Sequence, residues 1–185
     1  MKKMILLMAC AMLAMLPTTM QAQEQKKTER ARLKAEAQAE EAIAYAQAVD
    51  ALKQNSFVLE ADQVIFKNGE TAFVNSNTNF ILVDADHGTV QVAFNVPVAG
   101  PNGIGGVTVD GKVSGVKMKT SKKGAVSYNF SVMGSNISAQ VWLNMGTGAN
   151  QATVSINPNF NSRTLTLRGK VIPLEDSQIF KGRAL

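Results

Sequence analysis

Cysteine and histidine are nearly absent from this 185-residue sequence, which has one of each, Cys10 and His87. Zinc sites of the ordinary kind need clusters of these two residue types, so the sequence argues against one. A Ser-His-Asp triad would have to use His87 as its base, and no serine lies in a Gly-x-Ser-x-Gly motif. We therefore expect no catalytic residues, no metal and no cofactor, and a hydrolase is the least favoured class.

Apolar runs long enough to span a bilayer as a helix are also missing. Residues 1–22 instead have the pattern of a cleavable secretory signal: two lysines precede a short apolar run, Pro17 ends it, and Ala22 is the small residue before the cut. A lipoprotein signal acylated at Cys10 is the alternative, but the apolar run continues past Cys10. We favour cleavage after Ala22, which exports the chain and removes its thiol.

The excess of positive charge is small. The chain has 19 Lys and Arg residues against 14 Asp and Glu residues, a net charge of +5. Removing Lys2 and Lys3 with the signal leaves 17 basic and 14 acidic residues, a net charge of +3. Because the lysines are scattered along the sequence, we do not expect nucleic acid as a partner.

Residues 23–55 contain no Gly or Pro and are rich in strong helix formers, which predicts one N-terminal α-helix. Tyr45, Val49 and Leu52 are spaced i, i+4 and i+7, so they share one face. We expect this end to pack on the following domain; the alternative is a spacer or partner-binding helix. Residues 23–34 lack an apolar stripe and are expected to be partly disordered.

Residues 56–185 change to a two-residue alternation of apolar and polar side chains, which is typical of strands with one buried face. The alternation is clearest over residues 126–132, 137–143, 152–156 and 165–171. Short polar turns join these runs, which favours antiparallel hairpins over helical crossovers. We expect eight or nine antiparallel strands, forming either a closed barrel or a two-sheet sandwich.

Two irregular segments interrupt the alternation. It shifts by one position near Ser114 and Gly115, which predicts either a β-bulge in one long strand or two shorter strands. Residues 95–106 are rich in Gly and Pro, and we expect them to form a rim over a cavity, with Pro101 and Gly103 as candidate binding residues. A strand rather than a helix follows the glycines, so we expect them to serve close strand approach or a positive φ, not phosphate binding.

Two polar features are candidate binding surfaces. Asn75, Asn77 and Asn79 predict turns in which the side chains bond their own backbone; binding of a polar ligand such as a sugar is the alternative. Trp142 takes the polar parity of its strand. Its indole either marks a binding surface or is covered by the N-terminal helix through Tyr45 or Leu52.

Two acidic groups have simpler structural explanations than catalysis. Asp84, Asp86 and His87 begin like a calcium loop, but no glutamate follows at the required position, so we expect a hairpin turn. Glu60 and Asp62 share one side of a strand, and we expect a solvated strand face rather than a glycosidase pair.

Several segments, taken in order, resemble one known family. They are residues 74–80, 102–108, 158–160, 167–169, 173–175 and 180–183. Together they are similar to the domain of unknown function DUF4251, found in exported proteins of Bacteroidetes. The resemblance implies a Gram-negative envelope location and supplies no activity.

The sequence thus predicts a signal over residues 1–22, a helical, partly disordered segment over residues 23–55, and a β domain over residues 56–185. We expect an exported, periplasmic, non-catalytic binding or interaction domain for an unknown small ligand or envelope protein. A structural envelope protein acting through protein–protein contacts is the alternative. The candidate binding residues are Trp142, Asn75, Asn77, Asn79, Pro101 and Gly103.

Overall fold

The computed structural model describes residues 16–66, 69–93, 106–159 and 164–181, with side chains from residue 23 onward. The chain divides into two compact units, Met1–Glu40 and Glu41–Leu185. Among the described residues, the first unit contains only part of one helix. The second contains the end of that helix and every described strand.

Helix α1 (Leu16–Gln54) is continuous. Its exposed part carries Arg32 and Glu36 one turn apart, at 3.4 Å. It ends at Asn55, whose φ of 53° stops the helix in the left-handed region. Residues 23–34 are helical here, and their partial disorder stays a prediction. No helix in the described part of the chain has the length and apolarity needed to cross a membrane.

Within the described residues, nine strands follow the helix and form one antiparallel sheet. They are β1 (Ser56–Ile65), β2 (Thr71–Phe73), β3 (Phe80–Asp84), β4 (His87–Ala93), β5 (Gly106–Thr120), β6 (Val126–Gly134), β7 (Ser138–Met145), β8 (Gln151–Pro158) and β9 (Leu165–Pro173). Strands β1 and β3 to β9 pair in order, and β9 pairs back onto β1. The fold is therefore an eight-stranded closed barrel, not a sandwich, with β2 as an extra strand beside β1.

The inner faces of all eight barrel strands join one apolar cluster. Near its middle, the rings of Phe57 and Tyr128 meet edge to face at 5.2 Å, and those of Tyr128 and Phe130 at 5.6 Å. The hydroxyl of Tyr128 donates to Asn55 Oδ1, which ties the helix end to the barrel. Burial raises the pKa of Tyr128 to about 12.

The last turns of α1 complete this cluster. Ala48, Ala51 and Leu52 are buried in it, and Tyr45 packs at its edge. The hydroxyl of Tyr45 also donates to the carbonyl oxygen of Gly124, in the β5–β6 turn. The prediction that this end of the helix packs on the β domain is confirmed.

Strand β5 is one long strand with a bulge, as one of the two alternatives predicted. Its register with β6 shifts between Ser114 and Lys117, and Gly115 has a φ of 65°. A positive φ costs glycine little, so the extra residue is accommodated there. After the bulge, Met118 again faces the core cluster.

Residues 174–181, which we name the C-terminal strap, cross the outer face of the barrel. The strap begins with a short 3-10 turn, Leu174–Asp176, that contacts β1 and β3. Ser177 Oγ then donates to Glu60 Oε1 at 2.8 Å. The prediction that Glu60 stands on a solvated strand face is therefore wrong, because the strap covers that part of β1.

Candidate functional site

Trp142 lies on the outer face of β7, where it is half-buried, while its neighbours Val141 and Leu143 point into the core. Asn129 of β6 is directly opposite on one side and Ser155 of β8 on the other. Antiparallel neighbours of this kind place side chains about 5 Å apart. The indole is thus framed by an amide and a hydroxyl.

The surroundings of Trp142 are polar and mostly uncharged. Ser127, Asn144 and Thr153 form the next row on one side, and Ser127 Oγ donates to Asn144 Oδ1 at 3.1 Å. Gln140 and Asn157 pair across β7 and β8 in the row on the other side. Such a face offers hydroxyl and amide groups around one flat apolar ring, which suits a ligand with both kinds of surface.

Tyr45 and Leu52, the helix residues through which cover of the indole was predicted, do not lie over Trp142. Tyr45 and Leu52 pack with the inner-face cluster. Trp142 has the opposite parity to the β7 residues in that cluster and does not belong to it. The expectation was wrong because alternation fixes the side of the sheet on which a residue lies, but not what the helix packs against.

Asn129, beside the indole, has an unsatisfied acceptor. Its Oδ1 atom is buried and accepts no hydrogen bond within the described part of the chain. A buried polar atom without a partner costs about 1–3 kcal/mol, so such atoms are few in folded proteins. Asp62 Oδ1 on β1 is also buried and has no hydrogen-bond partner within the described part of the chain. The Asn129 acceptor is the one that adjoins Trp142.

The asparagine cluster forms turns, as predicted. Asn75 Oδ1 accepts from the Asn77 amide at 3.0 Å. Asn79 Nδ2 donates to the Asn75 carbonyl at 3.0 Å, and Asn79 Oδ1 accepts from the Ala93 amide at 2.8 Å. Asn79 is buried and fully engaged, whereas Asn75 and Asn77 are exposed. The side chains of Asn75 and Asn79 therefore serve the fold.

Pro101 and Gly103 lie outside the described residues, as does the predicted rim apart from its last residue. That residue, Gly106, begins β5, where an added Cβ would come within 1.8 Å of the Val92 carbonyl oxygen. Close strand approach, one of the two roles predicted for these glycines, is confirmed at Gly106.

The structure reveals a polar cluster around Asp110 that the sequence did not indicate. Asp110 Oδ1 accepts from Lys181 Nζ at 2.7 Å, from Thr89 Oγ1 at 2.5 Å, and lies 2.9 Å from His87 Nε2. Burial raises the pKa of Asp110, but the hydrogen bonds from Lys181, Thr89 and His87 outweigh it and hold the pKa below its ordinary value. The cluster anchors the strap on β4 and β5.

The residues beside this cluster form the predicted hairpin turn. Asp84 and His87 pair at the ends of β3 and β4, and Ala85 between them has a φ of 53°. Among the residues that the structure describes, no group of three or more His, Cys, Asp or Glu side chains is placed to hold a metal ion. The carboxylates bordering the groove of ≈ 280 Å³ between α1 and the strap, those of Asp50, Glu175 and Asp176, therefore form no such group.

Fold and site together define an eight-stranded antiparallel barrel, sealed by a helix end on the inside and crossed by a strap on the outside. The sequence profile of the domain of unknown function DUF4251 matches residues 38–171. The chain belongs to this family, which confirms the resemblance seen in the sequence.

One solved structure supports the assignment. It is a crystal structure of a DUF4251 family protein from Bacteroides eggerthii, with a TM-score of 0.70 and 59% sequence identity. The match covers 80% of this chain and 99% of that one. Comparison with curated proteins gives no match.

Proposed function

We propose that the protein is an exported, non-catalytic binding domain of the bacterial envelope, and that it binds through the outer face of β6 to β8 around Trp142. The observation that carries this proposal is the position of Trp142 among hydroxyl and amide side chains. A large aromatic ring that is only half-buried on a strand face open to solvent is a common anchor for ligands. The side chains of the inner face pack against one another in the core, so the outer face is the surface available to a ligand.

Export rests on residues 1–22, whose basic start, short apolar run and small residue at position 22 are typical of a cleaved signal. Intact-mass measurement of the protein from a native host should give a mature chain beginning at Gln23. A chain that begins with an acylated Cys10 would replace this proposal with membrane anchoring. A chain that retains Met1 in the cytoplasm would refute export.

The binding surface is tested with material that co-purifies with the full chain from the native envelope. Mass spectrometry of that material is compared between the wild type, Trp142→Ala and a control, Ile43→Ala. Ile43 is an exposed apolar residue of the helix, 60% accessible, so the control removes apolar surface away from the outer face of β6 to β8. We expect a ligand with the wild type and control but not with Trp142→Ala. Equal recovery with all three would refute the site.

A structural envelope protein is the second candidate, and Phe73 favours it. This side chain is 83% exposed and lies on β2, which pairs with β1 alone in the described sheet. An exposed aromatic ring on an edge strand is suited to a protein contact. If Phe73→Ser abolished envelope association while Trp142→Ala left it intact, this candidate would replace the first.

A further inference from the structure

We propose that the face around Trp142 binds an anionic saccharide. This inference rests on the proposed binding function and names the ligand class. Its first support is the distribution of charge. Residues 111–174 contain no Asp or Glu, although the chain has 14 of them. The basic residues of that stretch are Lys112, Lys117, Lys119, Lys122, Lys123, Arg163, Arg168 and Lys170.

The fold places three of these cations around the indole. Lys117 and Lys119 pair with Asn129 and Ser127 of β6, and they lie on the outer face of β5, two strands from Trp142. Arg168 is on β9, two strands away on the other side. At about 4.8 Å between neighbouring strands and about 3.4 Å per residue along a strand, Lys117 stands about 10 Å from the Trp142 backbone. Lys119 and Arg168 are two residues further along their strands and stand about 12 Å from it. We name Lys117, Lys119, Arg168 and Trp142 the cationic face.

The cations of this face have no acidic partner within the described residues. The ion pairs of the described structure use Lys53, His87, Lys181 and Arg32 as cations. Arg168 donates to the neutral Gln151 Oε1 at 3.3 Å. Cations without an acidic partner attract anions and raise their association rate. The charge therefore indicates an anionic ligand.

The uncharged side chains indicate a saccharide. Between the cations lie the hydroxyls of Ser127 and Ser155 and the amides of Asn129 and Asn144, which match sugar hydroxyls as donors and acceptors. Single-stranded nucleic acid would favour several aromatic rings in succession. Trp142 is the one aromatic residue at the described outer positions of β5 to β9.

Trp142 is the only tryptophan of the chain, so its emission reports binding at this face directly. The probes are polygalacturonate, its fully methyl-esterified form with the same backbone but no charge, and oligothymidylate of similar length. We expect polygalacturonate to shift the emission and to bind about tenfold more weakly when salt rises from about 0.05 M to about 0.5 M. The neutral ester and the oligothymidylate should bind at least about tenfold more weakly than polygalacturonate.

The matched variants remove three charges each. Lys117→Gln, Lys119→Gln and Arg168→Gln together should weaken polygalacturonate binding about tenfold or more. The control, Lys26→Gln, Lys27→Gln and Arg30→Gln on the exposed helix, should leave binding unchanged. Circular dichroism checks that both variants are folded.

Three outcomes would overturn the inference: no emission change with polygalacturonate, equal loss in the control, or equal binding of the oligothymidylate. Equal binding of the neutral ester would also overturn it, but would leave the binding function standing if isothermal titration calorimetry shows that Trp142→Phe abolishes this binding. The proposed binding function is tested separately: it fails if the same material co-purifies with the wild type and with Trp142→Ala.

Discussion

Gly88 is a glycine because of the barrel interior rather than the turn that precedes it. The positive φ of that turn belongs to Ala85. An added Cβ at Gly88 would lie 2.6 Å from Val113 Cγ2 and 3.1 Å from Val132 Cγ2. Strands β4, β5 and β6 therefore come together closely at this point.

Gly88→Ala is expected to lower the free energy of unfolding by about 1–3 kcal/mol, because an added methyl group in a packed core forces its neighbours apart. Urea denaturation followed by circular dichroism measures the change. Gly146→Ala is the control, since an added Cβ there meets nothing within 4 Å. Equal stability of the two variants would show that the core at Gly88 has room.

Asp110 should make stability depend on acid pH. Because its pKa is lower in the folded protein than the ordinary 3.8, its contribution is present above that value and is lost as pH falls through the folded pKa. The urea midpoint of the wild type should therefore fall more steeply than that of Asp110→Asn as pH drops below about 4. Lys181→Met, which removes one donor, should give an intermediate profile. Identical profiles for the wild type and Asp110→Asn would contradict this assignment.

At the scale of elements, the strap explains why some strands show a clean alternation of buried and exposed residues and others do not. Strands β6 to β8 alternate cleanly, because one face meets the core and the other meets water. Strand β1 does not, since Val58 and Leu59 are both buried. Leu59 belongs to the inner cluster, whereas Val58 lies on the outer face where the strap crosses. An extended strap has no periodicity, so its contacts were not predictable.

At the candidate site, too, some features are predictable from the sequence and others are not. Parity along β7 was enough to place Trp142 on the outer face, because alternation is a local property. The neighbours Asn129 and Ser155 depend on register, and the cations Lys117 and Arg168 depend on strand order. Pairing between strands is not encoded by composition. The lysines consequently looked scattered in the sequence, although the barrel places three basic residues around the indole.

Removal of the strap is expected to destabilise the barrel. A chain ending at Pro173 would lose the 3-10 turn that contacts β1 and β3, the strands that carry the buried Val58 and Phe80. It would also leave Gln91 without its 2.7 Å bond to the Phe180 carbonyl oxygen. We expect a loss of about 2 kcal/mol or more, measured by urea denaturation. The milder Ser177→Ala should cost about 1 kcal/mol. An unchanged midpoint in the truncated chain would mean that the strap does not contribute to the fold.

At the scale of the whole molecule, the unit Glu41–Leu185 should fold alone. A chain beginning at Glu41 keeps Tyr45, Ala48 and Leu52, which join the core, so its Tm should match that of the longer chain. A chain beginning at Ser56 loses them and should unfold at least about 5 °C lower, since the loss of buried side chains costs several kcal/mol. Differential scanning calorimetry of the two truncated chains tests this. A marked loss of stability on starting at Glu41 would contradict the division.

The barrel closes between its first and last strands, where Phe57 pairs with Pro173. Because the partners of this closure are so far apart in sequence, we expect slow folding. A chain that emerges from the ribosome or a translocation channel N-terminus first must keep β1 unpaired on one side until β9 arrives. During that interval the sheet is open, and its two free edges are able to pair with other chains. The same closure that removes free edges from the finished barrel thus makes its assembly dependent on protection of the nascent sheet.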